Sequence, residues 1–138
     1  MSKQLYSKPP LENTLIHLLQ HRAHKEPEKV IYTWLQDGEH ATRSLTYAEL
    51  NSRALAIAGH LKAAGLERNR ALLLFPPGLE FIEAFFGCLY AGMIAVPAYV
   101  PGTSRDHPRI EGILRDAECG IALTTEASLP SVSCSASA

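Results

Sequence analysis

The stretch Leu73-Leu74-Phe75-Pro76-Pro77-Gly78-Leu79-Glu80-Phe81-Ile82-Glu83-Ala84-Phe85-Phe86-Gly87-Cys88-Leu89-Tyr90-Ala91-Gly92-Met93-Ile94-Ala95-Val96-Pro97 holds an apolar run, a Pro-Pro-Gly break, a helical segment and a second apolar run. With Ala71 and Leu72 in front of it, the first run is continuous through Phe75, which suits a strand buried on both faces of a parallel sheet. The helix predicted over Leu79–Ala91 carries only a narrow polar stripe, Glu80, Glu83 and Gly87, and is therefore mostly buried. Gly87 inside it costs about 1 kcal/mol against Ala and marks close packing of another element. Gly92 caps the helix, and Met93–Val96 reads as a second buried strand.

Downstream, the Pro- and Gly-containing loop 97–108 leads to a shorter helix, Arg109 to about Ala117, and a third strand, Gly120–Thr124. The order β-α-β-α-β, with right-handed crossovers, makes an open, mostly parallel α/β sheet with flanking helices. A helix and a β-hairpin, followed by a second helix, precede it. The first helix is capped at Asn13 or Thr14 and stops before Pro27, with Leu15, Leu18, Leu19 and Ala23 at helical spacing. Val30–Leu35 is a strand, Asp37-Gly38 a hairpin signal, and the return strand lies within His40–Leu45. Thr46-Tyr47-Ala48-Glu49 fits a capping box. The helix behind it sets Tyr47, Leu50, Ala54, Ile57 and Leu61 on one face, and Gly65 suits a left-handed cap with Leu66 folding back on Leu61.

At 138 residues, 46% hydrophobic and 20% charged, the chain suits one domain able to bury a core. Residues 1–10 are expected to be flexible, 11–126 to form the domain, and the Ser-rich 127–138 to be disordered. Thirteen basic against fourteen acidic side chains favour neither nucleic acid nor an anionic membrane. The longest apolar run is interrupted by Glu80 and Glu83, and the N-terminus has no signal-peptide core. Cys88, Cys119 and Cys134, odd in number and without a CxxC pair, suggest free thiols and a cytoplasmic location.

Ligands of open α/β sheets sit beyond the carboxyl ends of the strands, here Pro76–Gly78, 97–104 and Thr124–Glu126. A phosphate cradle needs converging backbone N–H groups, and Pro76 and Pro77 have none. Neither GxGxxG nor GxxxxGK[ST] is present, so Pro-Pro-Gly reads as a structural corner. His17, His21 and His24 share a helical face at a spacing a metal site can use, but no HExxH pattern or further ligand cluster supports one. Cys88 sits among Phe85, Phe86 and Leu89 and reads as a core residue rather than a nucleophile. The loop Thr103-Ser104-Arg105-Asp106-His107 is a weak candidate for an anion contact. No residue is assigned a catalytic, cofactor-binding or metal-binding role.

Four segments together resemble the N-terminal part of the fatty acyl-AMP ligases, a branch of the adenylate-forming superfamily that includes acyl-CoA synthetases. They are Leu45–Leu50, Arg70–Phe81, Ala84–Gly92 and Ala95–Tyr99, with a weaker echo through Pro108–Ile110, Asp116-Ala117 and Ala122–Thr125. Tyr99-Val100-Pro101 departs from the Tyr-Pro-Pro frequent in these ligases. The resemblance implies activation of a fatty carboxylate by ATP, with Mg²⁺, to acyl-adenylate and pyrophosphate, then transfer to the phosphopantetheine thiol of an acyl carrier protein. The family's Ser/Thr-Gly-Ser/Thr-Thr-Gly-x-Pro-Lys loop, its Tyr-Gly-x-Thr-Glu motif, its ribose-binding Asp and its catalytic Lys have no counterpart here. Thr124-Thr125-Glu126 resembles the second superficially, but Ile121-Ala122-Leu123 precedes it. The expectation is a partial N-terminal subdomain, cut off early and inactive alone, that self-associates through an exposed apolar sheet. The alternatives are a non-catalytic α/β binding or regulatory module, a free-standing nucleotide-binding domain, and a fragment of a CoA-directed acyl-CoA synthetase.

Overall fold

A computed structural model describes residues 14–66, 68–103 and 105–133. In chain order the elements are α1 (Leu15–Lys25), β1 (Val30–Leu35), β2 (Ala41–Thr46), α2 (Tyr47–Ala63), β3 (Arg70–Leu74), α3 (Leu79–Tyr90), β4 (Ile94–Pro97), α4 (His107–Asp116), β5 (Ile121–Thr124), a 3₁₀ turn (Glu126–Ser128) and α5 (Leu129–Ser133). β1 and β2 form an antiparallel hairpin of their own, while β3, β4 and β5 make a parallel sheet in the order β4-β3-β5.

The local signals act as their chemistry requires. Thr14 caps α1, accepting from the His17 N–H at 3.2 Å. Thr46 and Glu49 close the capping box in both directions, at 3.2 and 2.8 Å. Gly65 takes φ +70° and the Leu66 N–H donates to the Leu61 carbonyl at 3.1 Å, so α2 ends in the expected fold-back. At the hairpin tip, Asp37 Oδ1 accepts from the N–H groups of His40 (2.7 Å) and Glu39 (3.0 Å). With the His40 ring on its other oxygen, these bonds hold the Asp37 carboxyl at about 2.

The strand order places β3 at the centre, and its four residues Ala71–Leu74 are buried on both faces. Ala71 and Leu73 pack with Ala84 and Cys88 of α3 and Ala58 and Leu61 of α2. Leu72 and Leu74 pack on the other face with Ile110 and Ile113 of α4. Successive crossovers thus lie on opposite faces, and the sheet is doubly wound. A third cluster, Leu19, Leu45, Leu50 and Leu79, joins α1 and the hairpin to α2 and α3.

Three expectations need correction. β4 is not a buried strand: it is an edge of the three-stranded sheet, and Ile94 is 55% exposed. Glu83 does not belong to a solvated stripe, because it is only 8% exposed. The Ser-rich segment is not structureless from 127 onward. Thr125 caps the 3₁₀ turn by accepting from the Ser128 N–H, α5 follows, and Val132 packs on the Leu72–Leu74–Ile110 cluster. One apolar side chain reaching the open α4 face of the sheet outweighs the composition of its neighbours. Residues 1–10 and 134–138 lie outside the described residues.

Gly87 marks the crossing of α2 and α3. A Cβ built there would lie 2.5 Å from Ile57 Cγ2 and 2.8 Å from Ile57 Cβ. Gly87→Ala therefore lowers stability by about 1–3 kcal/mol through overpacking, part of which the better helix propensity of Ala offsets. Urea denaturation measures the loss, and Ile57→Ala in the same chain restores part of it.

Candidate functional site

The carboxyl ends of β3, β4 and β5 open toward one end of the sheet, where α/β folds bind ligands. At the β3 exit Gly78 is the N-cap of α3, in extended backbone, and no side chain caps it. The position a Gly78 Cβ would occupy lies 2.8 Å from Glu80 Oε2. The helix N-terminus is therefore already faced by the carboxylate of its own first turn, the charge its dipole favours. A phosphate placed there would meet that carboxylate, already paired with Arg43, and two prolines without donors. Glu80 is a feature of this corner that the sequence motif alone did not supply.

The β4 exit behaves alike. Asp106 Oδ2 accepts from the Gly102 N–H (3.1 Å), the Thr103 N–H (2.9 Å) and the Thr103 hydroxyl (3.1 Å). The Thr103 bonds, foremost among these, pull the Asp106 carboxyl below its usual range. The Thr103 hydroxyl, one of the groups considered for an anion contact, is thus bonded to a carboxylate within the loop, and Ser104 lies outside the described residues. Arg109 rests over the Tyr99 ring at 5.9 Å. At the β5 exit the Thr124 hydroxyl donates to the Leu74 carbonyl at 2.6 Å, and the Thr125 hydroxyl to Ser128 Oγ at 3.0 Å. Strand-end polar groups hold the loops to the sheet.

Between β3, β5 and α3 lies a crevice of about 390 Å³ with Ile57, Phe75, Ala84 and Leu123 in its walls and Glu80, Glu83 and Glu126 among its polar groups. Its polar groups are acidic and hydroxyl, the wrong sign for a triphosphate. Glu83 accepts from Arg43 Nη2 (2.8 Å) and Arg53 Nη1 (3.0 Å), and Arg43 also pairs with Glu80. This cluster joins β2, α2 and α3 across 30 and 40 residues of sequence, and no local pattern announces it. The other sequence candidates are placed elsewhere. His17, His21 and His24 line an outer face of α1, and among the described residues no three metal-binding side chains come together. Cys88 is fully buried beside α2 and β3, and burial pushes its thiol up to about 11. Among the described residues, the polar groups lining this crevice do not fit a triphosphate. Among the described residues no helix is long and apolar enough to cross a membrane.

An open, doubly wound α/β unit with a helix and hairpin packed at its side is the class of structure these elements define. Its family is identified by comparison: the model of the AMP-binding enzymes matches residues 19–137, and the chain belongs to that family. It is 49% identical over 121 residues to a medium-chain-fatty-acid–[acyl-carrier-protein] ligase of Moorena producens, covering 86% of this chain and 20% of the relative. Identity to a long-chain-fatty-acid–AMP ligase of Mycobacterium tuberculosis is 38% over 120 residues, covering 85% and 21%. A solved fatty acyl-adenylate ligase of Legionella pneumophila, in complex with acyl adenylate and pyrophosphate, superposes with a TM-score of 0.79 at 37% identity, over 84% of this chain and 20% of that one. The chain spans about a fifth of the length of these relatives.

Replacing Glu83 by Gln keeps its shape and removes the charge both arginines share. The variant loses about 1–3 kcal/mol in urea denaturation, the lower end if the half-exposed guanidinium groups are re-solvated. Arg53→Gln combined with Glu83→Gln is less damaging than the sum of the two, since both remove one interaction.

Proposed function

We propose that this chain forms the N-terminal α/β scaffold of an ATP-dependent fatty acyl-AMP ligase and does not itself bind the triphosphate. In the reaction proposed for the whole enzyme, a fatty carboxylate oxygen attacks the α-phosphorus of ATP. The bond from that phosphorus to the bridging oxygen breaks, and pyrophosphate leaves. The acyl carbon is then taken by a thiol, with AMP as leaving group. A carrier protein is the favoured thiol donor, because the relative with 49% identity is a ligase for an acyl carrier protein. A cytoplasmic location accompanies this reading, on the free thiols of Cys88 and Cys119.

The observation that carries the scaffold role is the acidic, self-bonded character of the strand ends: Glu80 over the start of α3, and Asp106 closing the loop before α4. Positioning and charge neutralisation of phosphates need the opposite arrangement. Among the described residues β4 and β5 also stand as edges of the sheet, with Ile94 of β4 exposed, which favours association.

ATP–pyrophosphate exchange with medium- and long-chain fatty acids tests the first claim. The 138-residue chain is expected to give background exchange only, and turnover above background contradicts the reading. Light scattering on the same sample is expected to show species larger than a monomer, and a monodisperse monomer contradicts the association.

A further inference from the structure

We propose that the β1–β2 hairpin is a flap, latched by Arg43 to α3, that opens as a unit from the Pro-Pro-Gly corner while the three-stranded sheet stays closed. The hairpin shares no strand hydrogen bond with β3, β4 or β5. Along its two strands only Leu45 is buried. Its base is tied firmly, by the Tyr47 N–H to the Lys29 carbonyl and the Ala48 N–H to the Pro27 carbonyl, each 3.1 Å. Its far end is held differently. There Trp34 gives a half-buried apolar contact, and Arg43 reaches Glu80 and Glu83. Beneath that end lies a cavity of about 360 Å³, with Trp34, Thr42 and Arg43 on the hairpin side and Pro77, Gly78 and Leu79 opposite.

The Glu80 half of the latch is accessible to water and salt, and the Glu83 half, at 11% side-chain exposure, is less so. The side chains of Arg43 and Glu80 are 35% and 44% exposed, so ions compete for them. The β3 amides sit in a strand with no exposed residue, and the Arg70–Glu118 pair lies at its start, away from Leu72–Leu74. Elements with few buried contacts open at lower free energy than the core, which is the condition for a separable flap. Opening would uncover the corner at the ligand end of the sheet without unfolding it.

Amide hydrogen exchange by NMR on the full 138-residue chain tests this. In Arg43→Gln the protected amides of β1 and β2 are expected to exchange roughly three- to tenfold faster, while Leu72–Leu74 exchange at the parent rate. Salt at about 0.5 M, where screening acts over a few ångströms, accelerates the hairpin of the parent chain and leaves that of Arg43→Gln unchanged. Glu80→Gln gives a smaller acceleration confined to the hairpin, since Glu83 still receives both arginines. Parent rates in the Glu80→Gln hairpin, or equal acceleration of hairpin and β3, would overturn the proposal. Failure of Arg43→Gln to fold would count against it equally, because a latch on a separable flap leaves the sheet intact.

Discussion

A single buried carboxylate organises this molecule. Glu83 stands on the inner side of α3 at 8% exposure and accepts from Arg43 of the hairpin and Arg53 of α2. Burying that charge alone would cost several kcal/mol, and its two guanidinium partners make the position tolerable. The geometry then follows. α3 can face α2 only if the backbones approach at Gly87, and the hairpin can reach the cluster only if α2 begins at the Thr46–Glu49 capping box. Tyr90 and Asn51, bonded at 2.5 Å, repeat the α2–α3 tie at the far end of the crossing.

The doubly wound sheet and its open end are features of scaffolds that bind ligands, yet the groups at that end are spent internally. Glu80 faces the N-terminus of α3, and Asp106 occupies the amides before α4. Thr124 and Thr125 bond to the sheet and to the turn behind it. An end so arranged positions neighbouring structure better than it neutralises an anion. The chain covers about a fifth of the relatives it matches.

Much of this was legible in the residues because local rules governed it. The capping box, the Gly65 fold-back, the hairpin strand Val30–Leu35 and the apolar run of β3 each express a short-range preference, and each element stands within a residue or two of its expected place. The resemblance to fatty acyl-AMP ligases, carried by segments 45–50, 70–81, 84–92 and 95–99, agrees with the family. What was illegible is long-range. Strand burial in β4 depended on how many neighbours the sheet has, and Ile94 alone could not report that. The role of Glu83 depended on partners 30 and 40 residues away. α5 depended on one valine finding an open face, which Ser-rich composition conceals.

We propose that the strand ends are scaffold and hold no triphosphate. Titrating ATP into the isotope-labelled chain while following the amides of Gly78, Thr103 and Thr125 tests it residue by residue. Unchanged shifts at these three positions up to millimolar nucleotide are predicted. A saturable shift centred on Gly78 would contradict the account.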